Sequence, residues 1–447
     1  MNYNSFKNIG ITTTPILLGL VSQNLLNVVD TIFVGHIGEL ELGVAVIASM
    51  FYLCVYTVGL GYSIGVQTLI AKSNGENNNT LINTIFYNGV ILSIICSLIF
   101  YIITILLGGI AIDVFIKSPA IKQLALSYID YRIIGILFAF PALTFRAMYI
   151  AINRNNVIMY NAIVTTICNI FLNHILIHGE LGFPSLGLLG VAVASVISEL
   201  IGLLHYFQYT NKNNILFSTY RLMRMSTQTC KRILSISSGT MLQNFLNMCT
   251  WFYFFIAIEH LGERSLSISN IVRSLSTLLF LPITAFSYTV SSYISNLSGS
   301  RNYQLILPVA SKICIFCLAI VVSSVLIIFI QPSLVISLYT PNIELINETI
   351  PSLLIYSLCS IIAVPASVML NITIGLGHTK VASLIQLVTS IFYVGYIYYF
   401  IFYLKIDVSL AWLCEYIYWL CILICSIVYF NCYIKKKYFP LSHNTII

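Results

Sequence analysis

Twelve stretches of mostly apolar residues, each long enough to cross a bilayer, run through this sequence. They lie near 14–34, 45–70, 83–107, 124–152, 157–178, 187–208, 233–258, 268–295, 305–330, 350–374, 381–403 and 409–434. About 20 apolar residues suffice to span the hydrocarbon. Inside it, every backbone N–H and C=O must find a partner within the protein, which a helix provides for itself. A membrane β-barrel would instead show short alternating segments, and none occur. The chain is 59% hydrophobic and 8% charged, whereas soluble domains carry about 25% charged residues. It cannot cover a water-facing surface. The expected class is an all-α polytopic membrane protein whose main partner is the lipid bilayer.

The opening residues, MNYNSFKNIGITTTP, are polar with one Lys and lead straight into the first apolar stretch, unlike a cleavable signal. The connections are short and rich in turn residues, such as Asn74-Gly75, Asn153 to Asn156 and Asn211 to Asn214. Charge follows their order. The N-terminus, the even-numbered connections and the C-terminus hold thirteen Lys/Arg, and the odd-numbered connections hold four, Lys117, Lys122, Arg264 and Lys405. Positive residues stay in the cytoplasm, so both termini are expected there, as an even number of spans requires. The net charge of +7 therefore reflects membrane topology and not nucleic-acid binding. The twelve Cys are mostly single, within apolar stretches and without metal spacing; they read as small core residues. No transition-metal site is expected.

The chain repeats itself at an offset of 224 residues. His36, Gly38 and Glu39 meet His260, Gly262 and Glu263; Gly75 and Asn78 meet Gly299 and Asn302; Pro141 and Ala142 meet Pro365 and Ala366. Late in each half the offset falls to about 216, and Ser198-Glu199 meets Cys414-Glu415. The expected organisation is two pseudo-symmetric six-helix bundles, 1–208 and 233–447, joined by a basic cytoplasmic linker, 209–232. Six spans per copy make the repeats parallel, a design common in transporters.

Polar groups inside the spans carry the functional reading. A charge in hydrocarbon is costly and is a functional candidate by default. Asp30 lies deep in the first span, in LLNVVDTIFVG, with no basic residue within a helical turn. Such a carboxyl suits alternate binding of a proton and a cation; the plainer alternative is a carboxyl bonded only to neighbouring helices. Asn169 and Asn173 share a helix face in the fifth span, where their oxygens can join Asp30 around a Na⁺, or serve interhelical packing. Glu199 and Glu415 are candidate cavity-lining charges or backbone partners. Arg146 and Arg273 are candidates to face an aqueous cavity, whereas Arg132 is expected to snorkel to the interface. Pro15, Pro141, Pro282 and Pro365 interrupt spans and mark kinks or hinges. Nucleotide-binding, zinc-protease and serine-hydrolase motifs are absent from the sequence. The chain does not read as an enzyme, needs no organic cofactor, and must draw uphill work from an ion gradient.

Four stretches carry a family resemblance: NLLNVVDTIFVGHIGELELGVAVIA, GYSIGVQTLIAKSNGENN, FPALTFRAMYIAINRNN and VPASVMLNITIGLGHTK. Together they resemble the multidrug and toxic compound extrusion (MATE) family of cation-coupled antiporters. That resemblance implies a V-shaped cleft between the two bundles. It implies a monomer that exports amphipathic or cationic organic compounds from the bacterial inner membrane by alternating access, with H⁺ or Na⁺ as coupling ion. It assigns Asp30 as the coupling acid, supported by Asn169, Asn173 and Ser195. The seventh span departs from the family pattern. SISSGTMLQNFLN keeps Leu242-Gln243 but has Ser237, Gly239 and Asn247 in place of Gly, Pro and Glu. Gln243 and Asn247 remain candidate cavity residues, and coupling through the N-terminal half becomes the sharper expectation. Two other readings stay open, a lipid-linked oligosaccharide flippase and a membrane binding protein that does not transport.

Overall fold

A computed structural model of the chain describes residues 3–115, 119–213 and 225–438. Among them, twelve helices are long and apolar enough to cross a membrane: Phe6–Ile37, Leu40–Gly75, Asn79–Ile110, Ile121–Ala151, Asn156–His178, Leu188–Lys212, Thr227–Glu259, Glu263–Gly299, Tyr303–Ile330, Ile343–Gly375, Thr379–Tyr403 and Val408–Tyr438. They are the first to twelfth spans below. The all-α polytopic class and the twelve spans follow the sequence reading. Several helices outrun their apolar stretches. The second has 36 residues, about 54 Å at 1.5 Å per residue, so its ends reach beyond the hydrocarbon.

The backbone repeats with the sequence. The helices Glu39–Gly75 and Glu263–Gly299 are equal in length and displaced by the same offset. Left-handed residues recur in register: Asn77 (φ 54°) with Arg301 (φ 58°), Asn153 (φ 58°) with Gly377 (φ 86°), and Leu181 (φ 55°) with Lys405 (φ 48°). An L-residue adopts this conformation at a cost of roughly 1–2 kcal/mol. Its recurrence in unlike residues shows that the turn geometry, more than the side chain, is what the two halves share.

Two compact units emerge, Thr14–Met241 and Met1–Thr13 with Leu242–Ile447. These boundaries differ from those expected. The first span gives its first turns to the second unit, where Thr12 Oγ1 and Tyr293 Oη share a hydrogen bond of 2.6 Å and Thr13 Oγ1 and Thr289 Oγ1 one of 2.9 Å. The seventh span gives its opening turns to the first unit. There Thr240 Oγ1 donates to Gly61 O at 2.6 Å and Ser237 Oγ to Tyr62 O at 3.1 Å. Gly61 and Gly65 make that approach possible. A Cβ on Gly61 would lie 2.5 Å from Met241 Cα, and one on Gly65 2.5 Å from Ser237 Cα. Small residues four apart let helix backbones meet in this way. Of the expected linker, 214–224 lies outside the described residues.

Pro15, Pro141, Pro282 and Pro365 all lie inside helices, as does Pro351. The fourth span tightens to a 3₁₀ turn at Ile133–Gly135, shortly before Pro141. The tenth span has no such turn before Pro365.

Candidate functional site

The first, fifth and sixth spans bring four polar side chains of the first unit into a closed ring. Asn173 Nδ2 donates to Asp30 Oδ1 at 2.6 Å and to Asn169 Oδ1 at 3.0 Å. Asn169 Nδ2 donates to Ser195 Oγ at 3.4 Å, and Ser195 Oγ donates to Asp30 Oδ2 at 3.3 Å. The helical spacing of Asn169 and Asn173 puts both amides on one face, and both are fully buried. Ser195 joins from the sixth span, 165 residues along the chain from Asp30. Asn173 Oδ1 is buried with no hydrogen-bond partner among the described residues. A buried acceptor left unpaired is uncommon and calls for an explanation. Here it lies on an amide that also binds the carboxylate.

Asp30 opens onto a cavity of about 440 Å³, every lining residue of which belongs to this unit. That size suits a drug-sized molecule. Tyr52, Tyr56, Tyr128 and Tyr206 give it aromatic walls, surfaces suited to flat or cationic groups. Arg146 and Glu199 also line it, as the sequence reading allowed.

Arg132 corrects an expectation. It does not reach for the interface. Its Nη2 donates to Glu199 Oε1 at 2.8 Å, and its guanidinium lies over the Tyr52 ring, 3.6 Å from the centroid. Tyr52 Oη donates to the same carboxylate oxygen at 2.7 Å. Pairing with Glu199 offsets the cost of holding this charge in the interior, so the side chain need not extend to water. Arg132 Nη1 and Glu199 Oε2, the outer atoms of the pair, are buried without partners among the described residues. A Cβ on Gly135 would overlap Glu199 Oε2 and lie 2.6 Å from Arg132 Nη1. The glycine of the 3₁₀ turn therefore leaves the room the ion pair occupies.

Gln243, Asn247, Arg273 and Glu415 belong to the other unit and do not line this cavity. Asn247 Oδ1 accepts from Tyr418 Oη at 2.8 Å, and Glu415 Oε1 accepts from Tyr393 Oη at 3.0 Å. Arg273 stacks over Phe255, 5.1 Å from the ring centroid. Sequence reasoning sent Arg132 to the interface and did not single out Tyr52, Gln23 or Asn27. The last two carried a usable signal, because Gln23, Asn27 and Asp30 follow a helical spacing and all line the cavity. Tyr52 and Arg132 carried none without knowledge of which spans meet.

The family model for MatE matches residues 15–175 and 240–399, one copy in each half. A probable multidrug resistance protein NorM from Thermotoga maritima is 25% identical over 330 residues, covering 73% of this chain and 70% of the relative. A solved MOP superfamily transporter from Pyrococcus furiosus has a TM-score of 0.85 at 19% identity, covering 95% of this chain and 94% of that one. A variant of a Vibrio cholerae MATE transporter has a TM-score of 0.86 at 15% identity, covering 98% of each chain. At these identities the structural likeness is one of fold, and it agrees with the family match that spans both halves. The chain belongs to the MatE family of multi-pass membrane transporters and is not an enzyme.

Proposed function

We propose that this chain exports amphipathic or cationic organic compounds in exchange for H⁺ or Na⁺, and that Asp30 is the group at which ion and cargo compete. The observation that carries the reading is the ring of Asp30, Asn169, Asn173 and Ser195 at the wall of a tyrosine-lined cavity. With Asp30 ionised, its carboxylate attracts a cation in the cavity. A proton on that carboxyl, or a Na⁺ held by the oxygens of the ring, cancels the attraction. The ion and the cargo then favour different states of the protein, and unequal affinity is what lets a ligand shift a conformational equilibrium. The NorM relative, named a multidrug resistance protein, supports the cargo class. The chain works as a monomer in the bacterial inner membrane with both termini cytoplasmic, the orientation that its thirteen basic residues favour. Pro141 and Pro365 act as the hinges of alternating access.

The test is ethidium efflux from proteoliposomes under a proton gradient and, separately, a Na⁺ gradient. Wild type is expected to respond to one of them and Asp30→Asn to neither, with insertion intact. Normal gradient-driven efflux by Asp30→Asn refutes the coupling role. One observation favours the flippase reading. Arg132 and Arg146 both line the cavity, and pyrophosphate-linked lipids suit arginine. The Arg132 charge is met by Glu199, and the remaining charged lining residues, Arg146 and Asp30, are opposite in sign, so the lining as a whole carries no excess of cations. Translocation of a lipid-linked sugar with no ethidium flux would favour that reading.

A further inference from the structure

The two halves keep a glutamate at matching places and surround it differently. Glu199 and Glu415 correspond in the repeat. Glu199 is paired with Arg132 from the fourth span. On the tenth span, at the offset that matches Pro141 with Pro365, the residue corresponding to Arg132 is Tyr356. The residue corresponding to Tyr52 is Ser276. The second copy has kept the carboxyl and lost the cation.

Glu415 is only 3% exposed. Its Oε1 accepts a hydrogen bond of 3.0 Å from Tyr393 Oη, the Trp419 indole of its own helix is a further neutral donor beside the carboxyl, and it has no ion pair among the described residues. The titratable groups facing it are Tyr356 of the tenth span, Tyr393 of the eleventh, and Cys414 and Tyr418 of its own helix, with Cys359 beyond. All are neutral in their protonated forms. The tenth-span helix Ile343–Gly375 holds no Lys, Arg or His, and Lys380 of the eleventh is exposed near that helix's start. From the eighth span, Arg273 stacks on Phe255. Stripping water from an unpaired carboxylate costs several kcal/mol even after relaxation. Neutral hydrogen bonds contribute about 1 kcal/mol each, too little to offset that. A proton removes the charge and with it most of the cost.

We propose that Glu415 is a second proton-binding site, in the other unit from Asp30. It holds a proton in the conformation described. When the surrounding spans admit water, the carboxyl O–H bond breaks, the proton passes to water as hydronium, and the electron pair stays on the carboxylate. Tyr418, one helical turn further on, donates to Asn247 Oδ1 at 2.8 Å and lies 3.1 Å from Gln386 Oε1. Asn247 is exposed, so this polar chain leads from the region of Glu415 to the surface of the unit.

The inference is independent of the role given to Asp30, and an infrared experiment separates the two. The full-length protein is reconstituted in nanodiscs and taken from acidic to alkaline pH. The carboxylic acid C=O band, identified by its shift in D₂O, is followed by difference spectroscopy. Wild type is expected to show a protonated-carboxyl band that disappears on the alkaline side. Glu415→Gln should lose that band, Asp30→Asn should keep it, and Glu415→Asp should move its frequency without removing it. Tyr356→Arg, which restores the cation of the other repeat, should abolish it by holding Glu415 ionised. A wild type without such a band, or a Glu415→Gln spectrum identical to wild type, overturns the inference. If the band vanishes in Asp30→Asn alone, Asp30 is the only proton carrier of the two and the inference again fails, with the coupling reading intact.

Discussion

Gly135→Ala is expected to destabilise this protein, although glycine to alanine inside a helix ordinarily does the reverse. The ordinary gain is at most about 1 kcal/mol. At position 135 the new methyl would overlap Glu199 Oε2 and sit 2.6 Å from Arg132 Nη1. The carboxylate must withdraw to ordinary contact. Its bonds to Arg132 (2.8 Å) and Tyr52 (2.7 Å) pivot on the other oxygen of the same group, so they stretch or break together. Breaking a buried ion pair costs about 3–5 kcal/mol. Here the two side chains are 15% and 19% exposed and face a cavity, so roughly half of that applies, about 2 kcal/mol after solvent screening. Set against the helical gain, the net loss is about 1 kcal/mol. Unfolding in detergent can be followed with a thiol-reactive dye, because Cys230, Cys317, Cys359 and Cys414 are buried. Gly43→Ala is the control, with nothing within 4 Å of the new methyl, and should leave the midpoint unchanged or raise it. In a Glu199→Ala background the Gly135→Ala penalty should vanish, a coupling of about 2 kcal/mol. An equal effect in both backgrounds, or a higher midpoint for the single variant, would refute the claim that this glycine exists to house the ion pair.

Gly61→Ala should lower the same unfolding midpoint sharply and reduce yield, because its methyl would meet the backbone of Met241 and Thr240 at 2.5–2.7 Å, where no side chain can rotate away; unchanged stability would show that the second and seventh spans do not rely on this contact. Arg301→Gly should raise the midpoint, by up to about 1 kcal/mol after the entropic cost of glycine, since φ is 58° there; a fall would mean that the arginine side chain matters more than its backbone. Asn173→Ala should weaken gradient-driven efflux by about tenfold, the loss of one charge-assisted hydrogen bond of about 1.5–3 kcal/mol, while Asn24→Ala, whose amide only returns to Leu20 O at 3.1 Å, should not; equal effects of the two would remove Asn173 from the site.

What the sequence made legible depended on how far apart the cooperating residues lie. Asn169 and Asn173 are a turn apart, so their shared face follows from helical spacing, and the depth of Asp30 follows from its apolar neighbours. Ser195 was harder to place, because the longer fifth connection shifts the repeat register just before it. The repeat announced itself in His36, Gly38 and Pro141, whose residue types recur. At Leu181 and Lys405 only the left-handed backbone recurs, and a comparison of residue types cannot find it. The ends of the units were illegible for another reason. Thr12 and Tyr293 are 281 residues apart, and nothing local to either hydroxyl says that they meet.

The ion pair shows what kind of information was missing. Taken alone, Arg132 is an expensive charge near the start of a span, and local reasoning sends it to the interface. Glu199, taken alone, is ambiguous. Each becomes intelligible only with the other, 67 residues away. The same dependence makes the two repeated glutamates different chemical objects. Both positions hold a glutamate, and a residue on another span decides whether an ion pair meets its charge or a proton removes it. In this duplicated membrane protein, substitutions on facing helices, Arg132 against Tyr356 and Tyr52 against Ser276, divide those roles. The glutamate itself is the same residue in both copies.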